Sequence, residues 1–355
     1  MSDFDDNNDS DRDLPINGPD GSPINAPDEL PQADNDPASG GDSSAPDPPN
    51  GGKLYSGLKQ RIITAAILAV VYCTGILLGI LVHRFFYDFF ILGLMIIAGL
   101  EVCRAVGHRF AKPLSGFVVL NAALGFAAFM TVTNAFRVGR GGITSFFGVL
   151  GLMFIACIVF CMVGKKYNMN NVISTLFVMV YPTVFMVYML SLSYLSFYEV
   201  MSPFQHPAAL GVILTFGGSA MSDAMAYFVG SAVKGPKLCP AISPKKTVSG
   251  AIGGLFGGIA VGLVLLLFAH FGWLGIGALS DSAAVNTLHF VLLGLGTSVF
   301  CQIGDLISSY IKRACGMKDF GTVLRGHGGF MDRIDGVILA GVFDYVYLFI
   351  AAFFI

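Results

Sequence analysis

Charge is scarce in this chain: Asp, Glu, Lys and Arg make up 12% of its 355 residues, against 54% hydrophobic ones. That shortage excludes an ordinary soluble domain, in which about a quarter of the residues are charged. Cysteine is scattered, at positions 73, 103, 157, 161, 239, 301 and 315. The number is odd and no pair has C-x-x-C spacing, which argues against a disulfide framework and a zinc site. A basic start followed by a short apolar core is also missing, so no secretory signal is expected. Nothing in the composition calls for a nucleic-acid partner.

The sequence is instead rich in long apolar runs and carries a mean hydropathy of +0.71. A bilayer-crossing helix needs about 20 apolar residues. Runs of that kind occur near 62–83, 86–106, 114–135, 143–163, 172–197, 208–232, 249–273, 286–311 and 336–355. The expected fold is therefore all-α, a polytopic integral membrane protein of about nine transmembrane helices. Residues 1–52 hold thirteen Asp or Glu and only Arg12, a balance of −12, whereas the remainder carries +10. Rich in Pro, Asp, Ser and Gly, the region 1–58 is predicted to be a disordered acidic cytoplasmic tail. Residues 59–200 are read as N-terminal transmembrane helices and 201–355 as a C-terminal catalytic transmembrane region.

With the amino terminus inside, seventeen Lys and Arg fall on the inner side and three, Arg84, Arg137 and Arg140, on the outer side. This bias predicts cytoplasmic loops at 233–248 and 312–335 and an outer carboxyl terminus. Asp88, Glu101, Glu199 and Asp281 are expected at span ends or in loops, solvated or interfacial.

The stretch Ser309 to Asp335 packs nine ionisable side chains among five glycines: Lys312, Arg313, Lys318, Asp319, Arg325, His327, Asp332, Arg333 and Asp335. Carboxylates and cations on a glycine-rich backbone suit a metal-assisted phosphate site, although a polar loop between two spans explains the cations equally well. Asp332 and Asp335, three apart, would share a face if the chain re-enters a helix there. Asp223 and Asp305 lie inside apolar runs, where a carboxylate costs roughly 2.5–3.5 kcal/mol and so should face a cavity, a cation or a partner. With Asp305, the Asp332–Asp335 pair is a donor set for a hard ion such as Mg2+. Asp344 is left open between structural and functional roles. The other inner loop places Lys245 and Lys246 before Thr247 and a glycine-rich helix start, a phosphate-contact pattern that anionic lipid heads would also satisfy. His327, beside Gly326, Gly328 and Gly329, is read as a ligand contact rather than a proton acceptor.

At these residues the chain resembles a known family. The run S-Y-I-K-R-x4-K-D-F-G-x-V-L-x-G-H-G-G-F-M-D-R-I-D from Ser309 resembles the signature of phosphatidate cytidylyltransferases, the CDP-diacylglycerol synthases. D-x-x-A-Y-x-x-G from Asp223, S-P-K-K-T from Ser243 and G-D-L from Gly304 agree in order, so the likeness covers about residues 208–345. Arg325, Ser249 and Ser308 depart from the pattern, standing where a proline and two glutamates are common. The resemblance implies reaction of CTP with phosphatidic acid, using Mg2+ and admitting a second cation, monovalent or divalent. It also implies membrane-lipid contact, a homodimer and residence in a bacterial cell membrane. By the same resemblance Asp305, Asp332, Asp335 and Asp223 are metal ligands, and Lys245, Lys246, Lys312, Arg313 and Lys318 hold phosphates. Asp319, His327 and Arg333 would shape the nucleotide pocket. Ser222, Tyr227, Ser243, Thr247 and Ser309 are further substrate contacts. Asp305, Asp332, Asp335, Lys246 and His327 form the expected catalytic set. A cation-coupled transporter and another lipid phosphotransferase are the competing readings.

Overall fold

The computed structural model describes residues 70–79, 81–136, 139–164, 166–195, 207–321 and 328–354. The acidic tail, His327 and Arg325 lie outside these residues. Apolar stretches of the expected lengths become helices, because in lipid every backbone N–H and C=O must be satisfied within its own segment. The helices are α1 (Val70–Gly79), α2 (Arg84–Arg109), α3 (Ser115–Phe136), α4 (Gly139–Gly164), α5 (Met169–Leu192), α6 (Ala209–Val233), α7 (Val248–Phe271), α8 (Ala283–Ala314) and α9 (Asp335–Phe354). Seven of them, α2 to α8, are long and apolar enough to cross a membrane. The protein is thus a polytopic membrane protein. The two remaining expected spans correspond to α1, with ten residues, and to α9, and neither belongs to that set of seven.

One departure from an all-helical chain lies at the S-P-K-K-T run. Ser243–Thr247 is a strand, β2, paired antiparallel with β1 (Lys237–Cys239), with Lys237 opposite Thr247. The hairpin lies between α6 and α7 and carries lysines at their junction.

The described residues belong to one compact unit, Gly51–Ile355. Helices from before and after residue 200 interleave in it, with α9 packed on the second half of α5. α5 and α2 form the enclosed centre, with 67% and 56% of their apolar windows buried, whereas α4 is peripheral at 17%. The packing of α7 against α8 depends on glycine: a Cβ at Gly258 would lie 2.0 Å from Ser298 Oγ and 2.3 Å from the Gly294 carbonyl oxygen. Small residues let membrane helices approach to this distance, where dispersion replaces the hydrophobic drive.

Two acids expected at solvated span ends are instead inside α2 and buried, Asp88 at 0% and Glu101 at 1% exposure. Linear position misjudged them, since it does not show which face of the helix meets the core. Asp88 accepts from Ser193 Oγ (2.9 Å) and Tyr194 Oη (2.8 Å). Asp344, also fully buried, lies 2.6 Å from both Thr215 Oγ1 and Thr297 Oγ1.

Candidate active site

The site is built where helix ends meet. α8 spans 32 residues, about 48 Å at helical rise, so it outruns an apolar layer of about 30 Å and carries Lys312 and Arg313 past it. It crosses the start of α9 at glycine: a Cβ on Gly304 would stand 2.8 Å from the Asp335 carbonyl oxygen and 3.2 Å from Gly336 Cα. Asp305 and Asp335 follow and precede those two glycines, so the crossing sets one beside the other.

On one side of Asp305 is a cavity of about 550 Å³. Asp223, Tyr227, Lys245, Lys246, Thr247 and Asp305, all expected site residues, line it, together with Lys234, Lys237 and Gln302, which were not expected. Lys246 Nζ forms an ion pair with Asp305. Thr247 caps α7, its Oγ1 accepting from Gly250 N at 3.1 Å, so the amino end of a 24-residue helix opens beside the lysines. Four lysines against two aspartates leave the cavity wall cationic, and free helix N–H groups add to that bias toward anions. The departure at Ser249 has a local use. Its hydroxyl donates to the Lys234 carbonyl and ties the entry of the hairpin to α7.

On the other side of the crossing lies a second cluster. Lys312 Nζ bonds Asp332 Oδ1 at 2.9 Å and Asp335 Oδ2 at 3.4 Å. Asp332 Oδ2 accepts from the backbone N–H of Phe320 (2.9 Å) and Gly329 (2.8 Å). Asp332 and Asp335 converge as expected, but not from one helix face: Asp332 lies in a 3-10 turn, Met331–Arg333, and Asp335 opens α9. Glu101 Oε1 accepts from Phe330 N (2.9 Å) and Oε2 from Met331 N (2.7 Å), so a helix 230 positions away pins the glycine-rich loop. This explains two of the glycines. A Cβ at Gly321 would meet Glu101 Oε1 at 2.7 Å, and one at Gly329 would meet Oε2 at the same distance.

The four expected metal carboxylates therefore divide, with Asp223 and Asp305 at the cavity and Asp332 and Asp335 on Lys312. Among the described residues no three His, Cys, Asp or Glu side chains form a metal-ligating group. Lys246 pairs with Asp305, and Lys312 pairs with both Asp332 and Asp335. The other expected residues differ in their exposure. Ser222 is buried, against the position of Gly254. Ser243 and Ser309 are half-buried, and Lys318, Asp319 and Arg333 are exposed. Arg313 turns to its own loop, donating to the Met317 carbonyl at 3.3 Å, and joins neither cluster. Sequence reasoning missed Glu101, Lys234 and Lys237. The lysines had a signal, lying in the same basic loop as Lys245, whereas Glu101 had none beyond being an acid in an apolar run.

A membrane-embedded bundle with paired acids and lysines at its helix ends, beside a cationic cavity, defines a class: polytopic membrane proteins with a charged site at the ends of their helices. Residues 59–351 match the profile of the cytidylyltransferase family, and the chain belongs to that family. It is similar to the phosphatidate cytidylyltransferase of Brucella abortus, 41% identical over 138 residues, which cover 38% of this chain and 46% of the relative. The phosphatidate cytidylyltransferase of Staphylococcus aureus is 37% identical over 146 residues, 41% of this chain and 49% of the relative. The chain thus matches about half the length of these curated relatives.

Proposed function

We propose that this protein transfers the cytidylyl group of CTP to phosphatidic acid, releasing pyrophosphate and forming CDP-diacylglycerol. The observation that carries this reading is the juxtaposition of the lysine-lined cavity and the Lys312–Asp332–Asp335 cluster across the Gly304–Gly336 crossing, in a chain of this family. A phosphate oxygen of the lipid forms a new bond to the α-phosphorus of CTP, and the bond from that phosphorus to the β-phosphate bridging oxygen breaks in line. Lys245 and Lys246 bind phosphate oxygens at the cavity mouth, with Lys234 and Lys237 as additional cations, and they neutralise charge that spreads over the departing pyrophosphate. Thr247 and Tyr227 line the same cavity and orient the nucleotide there. Lys312 supplies a cation on the other side, Asp332 holds the glycine-rich loop in place, and His327 contacts the ligand from that loop.

The donor chemistry fits a hard divalent ion. Asp223 and Asp305 offer carboxylate oxygens at the cavity wall, and Asp335 lies within electrostatic reach of Asp305. Asp305, Asp335 and Asp223 would hold Mg2+, with Asp332 adjoining. When bound, the ion supplies charge stabilisation for the phosphate oxygens. The reading sets both charged loops on the cytoplasmic face of a bacterial cell membrane, with the diacyl tails of the acceptor remaining in lipid.

The test is direct. Purified protein given CTP, phosphatidic acid and Mg2+ should release pyrophosphate, and chelation of the metal should stop it. Protein that releases none, yet carries cations across liposome membranes, would refute the assignment and favour a transporter.

A further inference from the structure

Helix α5 is interrupted in its middle. Tyr181 is extended (φ −108°, ψ 116°) between the helical segments Met169–Val178 and Phe185–Leu192. Pro182 beside it has no N–H with which to continue the ladder. Broken backbone at membrane depth persists only where protein or a polar cavity surrounds it. Here the ring of Tyr181 sits between Phe177 and Phe185, with centroids 6.1 and 6.0 Å away.

The residue is 8% exposed, yet its hydroxyl has no hydrogen-bond partner. Ser308, fully buried on α8, is in the same condition. The two hydroxyls and Asp335 are mutual neighbours that close no hydrogen bond of ordinary geometry, with Asp305 and Asp332 within electrostatic reach. Other hydroxyls in the bundle are paired, such as Ser191, which donates to the Val187 carbonyl at 2.7 Å, and Thr215, which donates to Asp344 at 2.6 Å, whereas Tyr72, Thr133, Ser219 and Ser222 share the unpaired condition. An orphaned buried hydroxyl weakens a fold, and such groups call for a specific cause, of which a ligand that completes them is one.

We infer that Tyr181 is a substrate-contacting residue, its hydroxyl donating to a phosphoryl oxygen held between the Lys246–Asp305 pair and the Lys312 cluster. Ser308 is the second donor to the same ligand. The inference rests on the reaction proposed above. It adds to the site a residue from the first half of the chain, outside the motifs that mark the second half. The phosphoryl group belongs either to the nucleotide or to the lipid acid, and the kinetics separate the two.

Tyr181→Phe removes one oxygen and keeps the ring between its two neighbours. Initial rates of pyrophosphate release by the full chain in mixed micelles are measured with CTP varied at saturating phosphatidic acid, then the reverse. Thermal unfolding is followed without substrates. The expected result is a fall in kcat/KM of about tenfold or more, as for a lost hydrogen bond to a charged group. The unfolding temperature should stay the same or rise, because an unpaired buried hydroxyl has gone. A KM increase confined to CTP assigns the contact to the nucleotide, and one confined to phosphatidic acid assigns it to the lipid. Wild-type rates with both substrates would overturn the inference, as would a loss of thermal stability in step with activity, the mark of a structural hydroxyl. If the variant does not fold, Ser308→Ala takes its place: the same fall in kcat/KM is expected, and wild-type rates or a parallel loss of stability would overturn the inference in the same way. Wild-type protein that releases no pyrophosphate overturns the proposed reaction and this inference together. An active wild type with an indifferent Tyr181→Phe overturns the inference alone.

Discussion

Replacing Glu101 by Gln tests how the glycine-rich loop is held. Both carboxylate oxygens accept from backbone N–H groups, Phe330 at 2.9 Å and Met331 at 2.7 Å, in a residue only 1% exposed. Gln keeps one acceptor and sets an NH2 group against the other N–H, so a charge-assisted bond is lost and a buried donor is left unpaired. The loss is about 2 kcal/mol, which raises the local open population of the loop about 30-fold. Amide hydrogen exchange reads this directly: in the peptide spanning 328–334, at least one of the Phe330 and Met331 amides should exchange faster by about that factor. Exchange in α8 and α9 should change much less. Because Asp332 Oδ2 is bonded to the N–H of Gly329 in the same loop, pyrophosphate release should fall as well. Unchanged exchange of those amides in a folded Glu101→Gln protein would refute the claim that the carboxylate pins the loop.

The two lysine clusters should respond differently. Lys312→Met leaves Asp332 and Asp335, whose side chains are 4% and 12% exposed, without their cation, a loss of about 3–5 kcal/mol. Lys246→Met breaks a pair whose members are 27% and 29% exposed, a loss below about 1 kcal/mol. Thermal unfolding in detergent should therefore fall sharply for the first and little for the second, while both lose pyrophosphate release; equal melting losses would contradict this assignment. Gly304→Ala would drive a Cβ to 2.8 Å from the Asp335 carbonyl oxygen, parting α8 from α9 at a cost of about 1–3 kcal/mol. Turnover should drop with it, whereas Gly148→Ala, whose Cβ would meet nothing within 4 Å, should leave both turnover and melting temperature near wild type.

Much of the fold was legible because lipid imposes a length and an apolar composition on each span. Seven of the nine runs read from hydropathy are helices long and apolar enough to cross a membrane, among them α6 and α8 with Asp223 and Asp305 inside them. The boundaries were less legible. α8 extends beyond its expected span, and the S-P-K-K-T segment is a strand, because local pairing with Lys237–Cys239 has no hydropathy signature. Of the site, the charged residues announced themselves by their rarity in an apolar chain, but the pairing of Lys246 with Asp305 and of Lys312 with Asp332 and Asp335 was not legible there. Arg313, equally charged and in the same run, bonds its own loop instead.

By itself the sequence determined that this is a membrane protein with its ionisable groups concentrated near the ends of its later helices, because the cost of charge in lipid leaves few places to put them. It also determined which residue types meet there. Only the tertiary structure decided who pairs with whom. Glu101 reached the loop from 230 positions away, two glycines made room for its carboxylate, and a glycine crossing set Asp305 beside Asp335. Those contacts depend on which face each helix turns inward and how closely two backbones approach. Neither quantity is written in the order of residues along one chain segment.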